Sequence, residues 1–149
     1  MSEDGKDLPK RVAIRDDLLT KPLDDLDKVR LVGSRCRQCG ETSLGERGRC
    51  PNCGSGDMET RELGTEGTLW TYTVVRNRPP GKYRGPDPFQ PFCMGLVELP
   101  DGLRVNALVE GDVEEMEIGV PLRLRVFVHH ENEAGQEVVG FAFARTDKP

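Results

Sequence analysis

Two short stretches, Cys36-Arg37-Gln38-Cys39-Gly40 and Cys50-Pro51-Asn52-Cys53-Gly54, decide how the chain is read. Each is a C-x-x-C pair followed by glycine, and ten residues separate the pairs. A C-x-x-C turn, or knuckle, points two thiolates at one ion, and two knuckles supply the four sulfurs of a tetrahedral site. Glycine after the second cysteine permits positive φ and lets backbone N–H groups approach the sulfurs. Pro51 stiffens the second knuckle. Cys36, Cys39, Cys50 and Cys53 are therefore predicted to bind one zinc ion per chain. With four protein ligands the ion keeps no position for water or substrate, so the site reads as structural. The competing readings are two disulfides, free thiols and a rubredoxin-like iron site. The first is disfavoured because MSEDGKDLPK lacks the apolar stretch of a secretory signal. The repeated knuckle pattern speaks against unconnected thiols. The short loop and scarce aromatics leave an iron centre poorly shielded.

The segment around the knuckles, from Leu31 to about Glu62, is rich in Gly, Arg and Glu and cannot make a core of its own. Upstream, residues 1 to about 19 are charged and aperiodic, and read as a flexible or partner-ordered arm. A short helix is predicted next. Thr20 caps it, Lys21 and Pro22 open it, Asp24 and Asp25 occupy its first turn, and Gly33 stops it. Leu23, Leu26 and Val29 form a thin stripe at a spacing of three. Such a stripe needs a partner, so Leu23 and Leu26 are candidate interface residues.

Downstream, the pattern turns to strands. Leu69–Val75 (LWTYTVV) is almost wholly β-branched or aromatic. Phe92–Leu99 and Leu103–Glu110 flank the turn signal Pro100-Asp101-Gly102 and read as a hairpin. Leu122–Val128 alternates, with Leu122, Leu124, Val126 and Val128 on one face, and Val138–Arg145 is the last strand. Glu114–Gly119 is expected to give a helical turn before the fourth strand. Five strands without long helices between them predict a mainly β fold closing into a small antiparallel barrel.

At 149 residues and 16.6 kDa the chain can hold a real core. Its 21 basic and 26 acidic residues give a net charge of −5, and aromatics are 5%. Both disfavour nucleic acid as a partner, since phosphates need a basic face and bases need aromatic platforms. No apolar run is long enough for a membrane helix, and a cytoplasmic location is expected. The fifth cysteine, Cys93, reads as a small buried hydrophobe. A catalytic thiol would need a base, and His129 and His130 sit at a strand end. One loop stands out. Arg76, Arg78, Lys82 and Arg84 form a basic island without an acid among them, shaped by Pro79, Pro80 and Gly81. It reads either as a solvated loop or as a contact for a phosphate or an acidic surface.

The order of knuckles and strands resembles the zinc-ribbon plus OB-fold family once filed as domain of unknown function thirty-five. Beyond the knuckles, Gly67–Val75 fits G-x-x-x-x-Y-T-x-V and Pro91–Gly102 fits P-x-x-x-x-L-V-x-L-x-x-G. Ile118-Gly119-Val120-Pro121-Leu122 follows the pattern I-G-x-x-V, with Leu122 in the last place. The resemblance runs from about Leu31 to Arg145. With the arm and helix read over 1–32, it implies a zinc ribbon over 33–62 and a five-stranded OB-type barrel over 63–149. It also implies a non-catalytic subunit that docks on a thiolase-fold partner and helps form or gate its acyl-CoA site. Such partners are thiolases, thiolase-like aldolases and hydroxymethylglutaryl-CoA synthases. The basic loop would then contact CoA or the partner. Two other readings compete: a ribbon-plus-barrel nucleic-acid module, and an enzyme in its own right using Cys93 or His129.

Overall fold

A computed structural model describes residues 8–81 and 85–147 of the chain. Three strands build the ribbon: β2 (Val32–Cys36), β3 (Thr42–Leu44) and β4 (Met58–Glu62), with β2 in the middle and both pairings antiparallel. Leu63 follows at once, and its N–H donates to the Leu31 carbonyl oxygen at 2.8 Å. Leu31 and Leu63 are both buried, so ribbon and barrel meet over shared apolar packing.

The barrel strands are β5 (Glu66–Val75), β6 (Phe92–Leu99), β7 (Leu103–Glu110), β8 (Pro121–Glu131) and β9 (Glu137–Arg145). β5 pairs with β6 and β6 with β7, and β7 meets β9 in parallel at Val109 and Glu110. β9 runs antiparallel to β8, and β8 returns to β5 through Glu66–Thr68. The ring is closed, which removes the unpaired edges that an open sheet would present. Alternation supplies the core. On β6, Cys93, Val97 and Leu99 point inward and are buried, while Phe92, Met94 and Leu96 are half-buried on the outside. Val105, Ala107 and Val109 of β7, Leu69 of β5, Leu122 of β8 and Phe143 of β9 complete the interior. Each large apolar side chain so buried contributes about 1.5–3 kcal/mol. The β6–β7 turn forms as its residues dictate. Gly102 takes φ of 96°, and the Asp101 carboxylate accepts the Gly64 N–H at 3.0 Å, tying the hairpin to the ribbon exit.

The structure corrects the reading of the N-terminal third. Residues 11–13 form a strand, β1 (Arg11–Ala13), that pairs in parallel with β9. Arg11 Nε donates to Glu137 at 2.8 Å, and its Nη1 donates to the Leu23 and Asp24 carbonyls, each at 3.0 Å. The described part of the arm is therefore tied to the barrel, and residues 1–7 lie outside the described residues. No α-helix follows. The element is a single 3-10 turn, Leu26–Lys28, whose cap is Asp25. Backbone pairing explains why. Leu19 bridges to Leu31, and Thr20 and Arg30 exchange two hydrogen bonds of 2.9 Å, which closes residues 20–30 as a loop. Leu23 is 8% exposed, Val29 is buried, and Leu26 packs against the same cluster. The stripe covers the chain's own core, so the reason for assigning Leu23 and Leu26 to a partner disappears. Gly33 stops no helix; it lies inside β2, where an added Cβ would stand 2.7 Å from Leu63 Cδ2. Between Gly111 and Val120 there are hydrogen-bonded turns rather than a helix.

Candidate metal centre

The two knuckles have the same backbone grammar. Gly40 N–H donates to the Cys36 carbonyl and Gly54 N–H to the Cys50 carbonyl, both at 2.9 Å. Cys36 N–H donates to Glu41 O at 2.9 Å, and Cys50 N–H to Ser55 O at 2.8 Å. These tight turns need φ of 82° at Gly40 and 80° at Gly54, a region where a side chain is strained. Cys36 sits at the end of β2, opposite Met58 of β4, which fixes the first knuckle on the ribbon sheet.

The turns bring the four sulfurs together. All lie within 4.8 Å of one another, with Cys36–Cys53 at 3.6 Å and Cys39–Cys50 at 3.5 Å. A tetrahedral ion with zinc–sulfur bonds of about 2.3 Å sets its sulfurs roughly 3.8 Å apart. The donor set thus fits zinc. N–H groups aim at the sulfurs as well: Cys39 N–H at Cys36 Sγ (3.4 Å), and Asn52 N–H (3.3 Å) and Cys53 N–H (3.4 Å) at Cys50 Sγ. Such donors favour thiolates. The Glu41 N–H, followed by the Asn52 side chain, holds the Cys39 thiol down to about 6. Cys36 is also lowered, chiefly by the Cys39 N–H. Cys53 receives the Ser55 N–H, yet burial and the three neighbouring sulfurs push it up to about 12. Four negative sulfurs at contact distance repel, and a divalent cation is what lets all four ionise.

Sequence reasoning missed one member of this centre. Asn52 Nδ2 donates to Cys39 Sγ across the site at 3.6 Å, joining the knuckles by a side chain. Its position between the cysteines of the second knuckle was the available signal.

The remaining candidates are not gathered into a second chemical site. Cys93 is fully buried, and burial pushes its thiol up, the opposite of what a nucleophile needs. His129 and His130 face each other on β8, their Nδ1 atoms 2.7 Å apart. A bulge between Val128 and His130 places them together. In the basic loop, Arg76 pairs with Glu114 at 3.3 Å, and both side chains are exposed. Lys82 and Arg84 lie outside the described residues. Nearby, a cavity of about 800 Å³ opens between Pro79, Pro86 and Phe92 on one side and Arg125, Phe127 and His129 on the other.

Residues 24–59 match the ChsH2 rubredoxin-like zinc ribbon domain, and residues 60–128 match the ChsH2 C-terminal OB-fold domain. A "DUF35 domain-containing scaffold protein" of Methanothermobacter thermautotrophicus is 32% identical over 120 residues, which are 78% of this chain and 86% of that protein. The chain belongs to the DUF35 family. Another relative is the benzoylsuccinyl-CoA thiolase subunit BbsA of Thauera aromatica, 26% identical over 87% of this chain and 85% of that subunit. A solved structure, the "Ltp2-ChsH2(DUF35) aldolase", holds a similar chain at 31% identity with a TM-score of 0.58. That match covers 78% of this chain and 84% of the other. This DUF35 chain is thus a zinc-ribbon protein related to subunits of thiolase and aldolase complexes. Among its described residues no helix is long and apolar enough to cross a membrane.

Proposed function

We propose that the chain is a non-catalytic subunit that docks on a thiolase-fold catalytic partner and helps form its acyl-CoA site. The observation that carries this reading is the closed centre: four sulfurs within 4.8 Å of one another would fill every position of a zinc ion, and the fifth cysteine is core. Zinc bound there would stabilise the ribbon and offer no open position for chemistry. The named relatives, a thiolase subunit and a chain of an aldolase, support the class of partner. The size and domain order suit the small subunit of a benzoylsuccinyl-CoA thiolase, and that substrate is the first to try. The basic loop is assigned the CoA phosphates. Arg76 is held by an exposed ion pair to Glu114, which is worth little and can exchange for a phosphate; Arg78, Lys82 and Arg84 extend the same charge along the sequence.

Co-expression with a thiolase-fold catalytic subunit, that of a benzoylsuccinyl-CoA thiolase first, followed by gel filtration, is the test. One peak at micromolar concentration, with turnover by the complex and none by this chain alone, is expected. Separate elution overturns the proposal. Within the complex, Arg76→Ala with Arg78→Ala is expected to raise KM for CoA about tenfold. Unchanged kinetics in both CoA and acyl-CoA directions would return the loop to a solvated segment.

A further inference from the structure

We infer that the outer face of β5, β6 and β7, centred on Trp70, is the surface that receives the catalytic partner; this rests on the proposed function. Thr73, Met94 and Leu108 stand side by side across the three strands, and so do Thr71, Leu96 and Asn106. Their chain neighbours Cys93, Gly95, Val97 and Ala107 are buried, so these rows face outward, where Met94, Leu96 and Leu108 are half-buried.

Trp70 is the extra residue of a bulge. Leu69 pairs with Val97 and Thr71 with Leu96, which leaves Trp70 unmatched and 44% exposed. A bulge of this kind re-aims a side chain, and families keep it for that purpose. The Arg104 guanidinium carbon lies 3.9 Å from the indole centroid, and Arg104 also donates to Glu98 at 3.3 Å. Trp70 sits on β5 and Arg104 on β7, so the stack spans the sheet and fixes the indole before anything docks. The Gly119 N–H bonds to the Leu69 carbonyl at 2.8 Å, setting the Ile118 turn beside this face with Ile118 65% exposed.

Charge decides what the face takes. Within the rows from Thr71 to Thr73, Met94 to Glu98 and Arg104 to Leu108, the charged side chains are Glu98 and Arg104, and they pair. The patch is neutral. A nucleic acid on a barrel of this kind needs a net positive face with free aromatic platforms. Here the aromatic is already covered by an arginine whose charge is answered. A preorganised tryptophan and arginine are the residue types that anchor protein-binding hot spots, and methionine beside them is enriched at interfaces as well. Leu23 and Leu26 offer no competing surface, because they cover the chain's own core.

The chain has one tryptophan, so labelling with 5-fluorotryptophan gives a single fluorine NMR resonance at the centre of the patch. Titrating the thiolase-fold partner is expected to shift and broaden it. Trp70→Ala is expected to weaken the complex at least about thirtyfold, and Arg104→Glu about tenfold. Glu133→Ala, on the β8–β9 turn, is expected to leave it unchanged. Zinc content and thermal melting of each variant report whether the fold survives, and the wild-type resonance needs no variant at all. An unmoved resonance and an unchanged affinity of Trp70→Ala, in a complex that still forms, would overturn this inference and leave the proposed function standing. Absence of any complex with wild-type protein would overturn both. A resonance that moves with oligothymidylate at physiological salt would make the face a nucleic-acid surface, and would overturn the inference as well.

Discussion

The ribbon and the barrel stand on different physics. In the ribbon the buried side chains are few and partly polar: Ser34 donates to the Gly45 carbonyl at 2.7 Å and accepts the Arg47 N–H at 2.9 Å. Its other internal fastenings include the β2–β3 and β2–β4 ladders, the knuckle hydrogen bonds and the four sulfurs. The barrel is closed around apolar side chains brought from strands far apart in sequence. One module is cross-linked locally and the other condenses globally. Removing the ion and removing a core side chain must therefore have separable effects.

Cys39→Ser should break the comparison most sharply. Structural zinc contributes on the order of 10 kcal/mol to modules of this size. Elemental analysis is expected to show the metal lost, and hydrogen exchange to show β2, β3 and β4 unprotected while β5–β9 stay protected. Full metal stoichiometry in the variant would mean that the four sulfurs do not act together.

Phe143→Ala is the mirror experiment. It empties the middle of the barrel and is expected to cost about 3–5 kcal/mol in urea denaturation. Retained zinc in native buffer is the companion result, because Phe143 belongs to the apolar core cluster and the four knuckle cysteines do not. Zinc loss alongside the fall in stability would show the two modules to be one cooperative unit.

Gly33→Ala probes the seam. The new methyl group would meet Leu63 Cδ2 at 2.7 Å and the Ser43 carbonyl oxygen at 3.0 Å. Since one of these neighbours is backbone, relief is limited, and a cost of about 1–3 kcal/mol is expected by thermal melting.

The smallest effect is at β1. The Arg11 guanidinium beside Glu137 holds its carboxyl below the ordinary 4.5. A lowered folded value means that the stabilisation is present above the ordinary value and fades as pH falls through the folded one. Both groups are near solvent, so the change is local. Amide exchange at Ile14, whose N–H donates to the Val139 carbonyl oxygen at 2.8 Å, is expected to quicken below pH 4.5 in wild type, and Arg11→Ala to remove that dependence. Identical pH profiles for the two proteins would sever the link.

What could be read from the residues was what is specified locally. Two C-x-x-C-G repeats fix their own turns, and the sulfurs follow from the turns. Alternation and β-branching marked β6 and β7 with the observed bounds, because a strand's period is set by its own backbone. The N-terminal reading failed for the complementary reason. A spacing of three at Leu23, Leu26 and Val29 fits a helix, but it fits a looped segment lying on a core equally well. The choice was made by Leu19 pairing with Leu31 and by β1 finding β9, partners that no local pattern names. The same holds for Trp70. The sequence by itself determined a tryptophan in a strand. Only the closure of the barrel, the one-residue bulge opposite β6 and the arrival of Arg104 from β7 put it outside, stacked and available, since which face a strand side chain takes depends on register between strands.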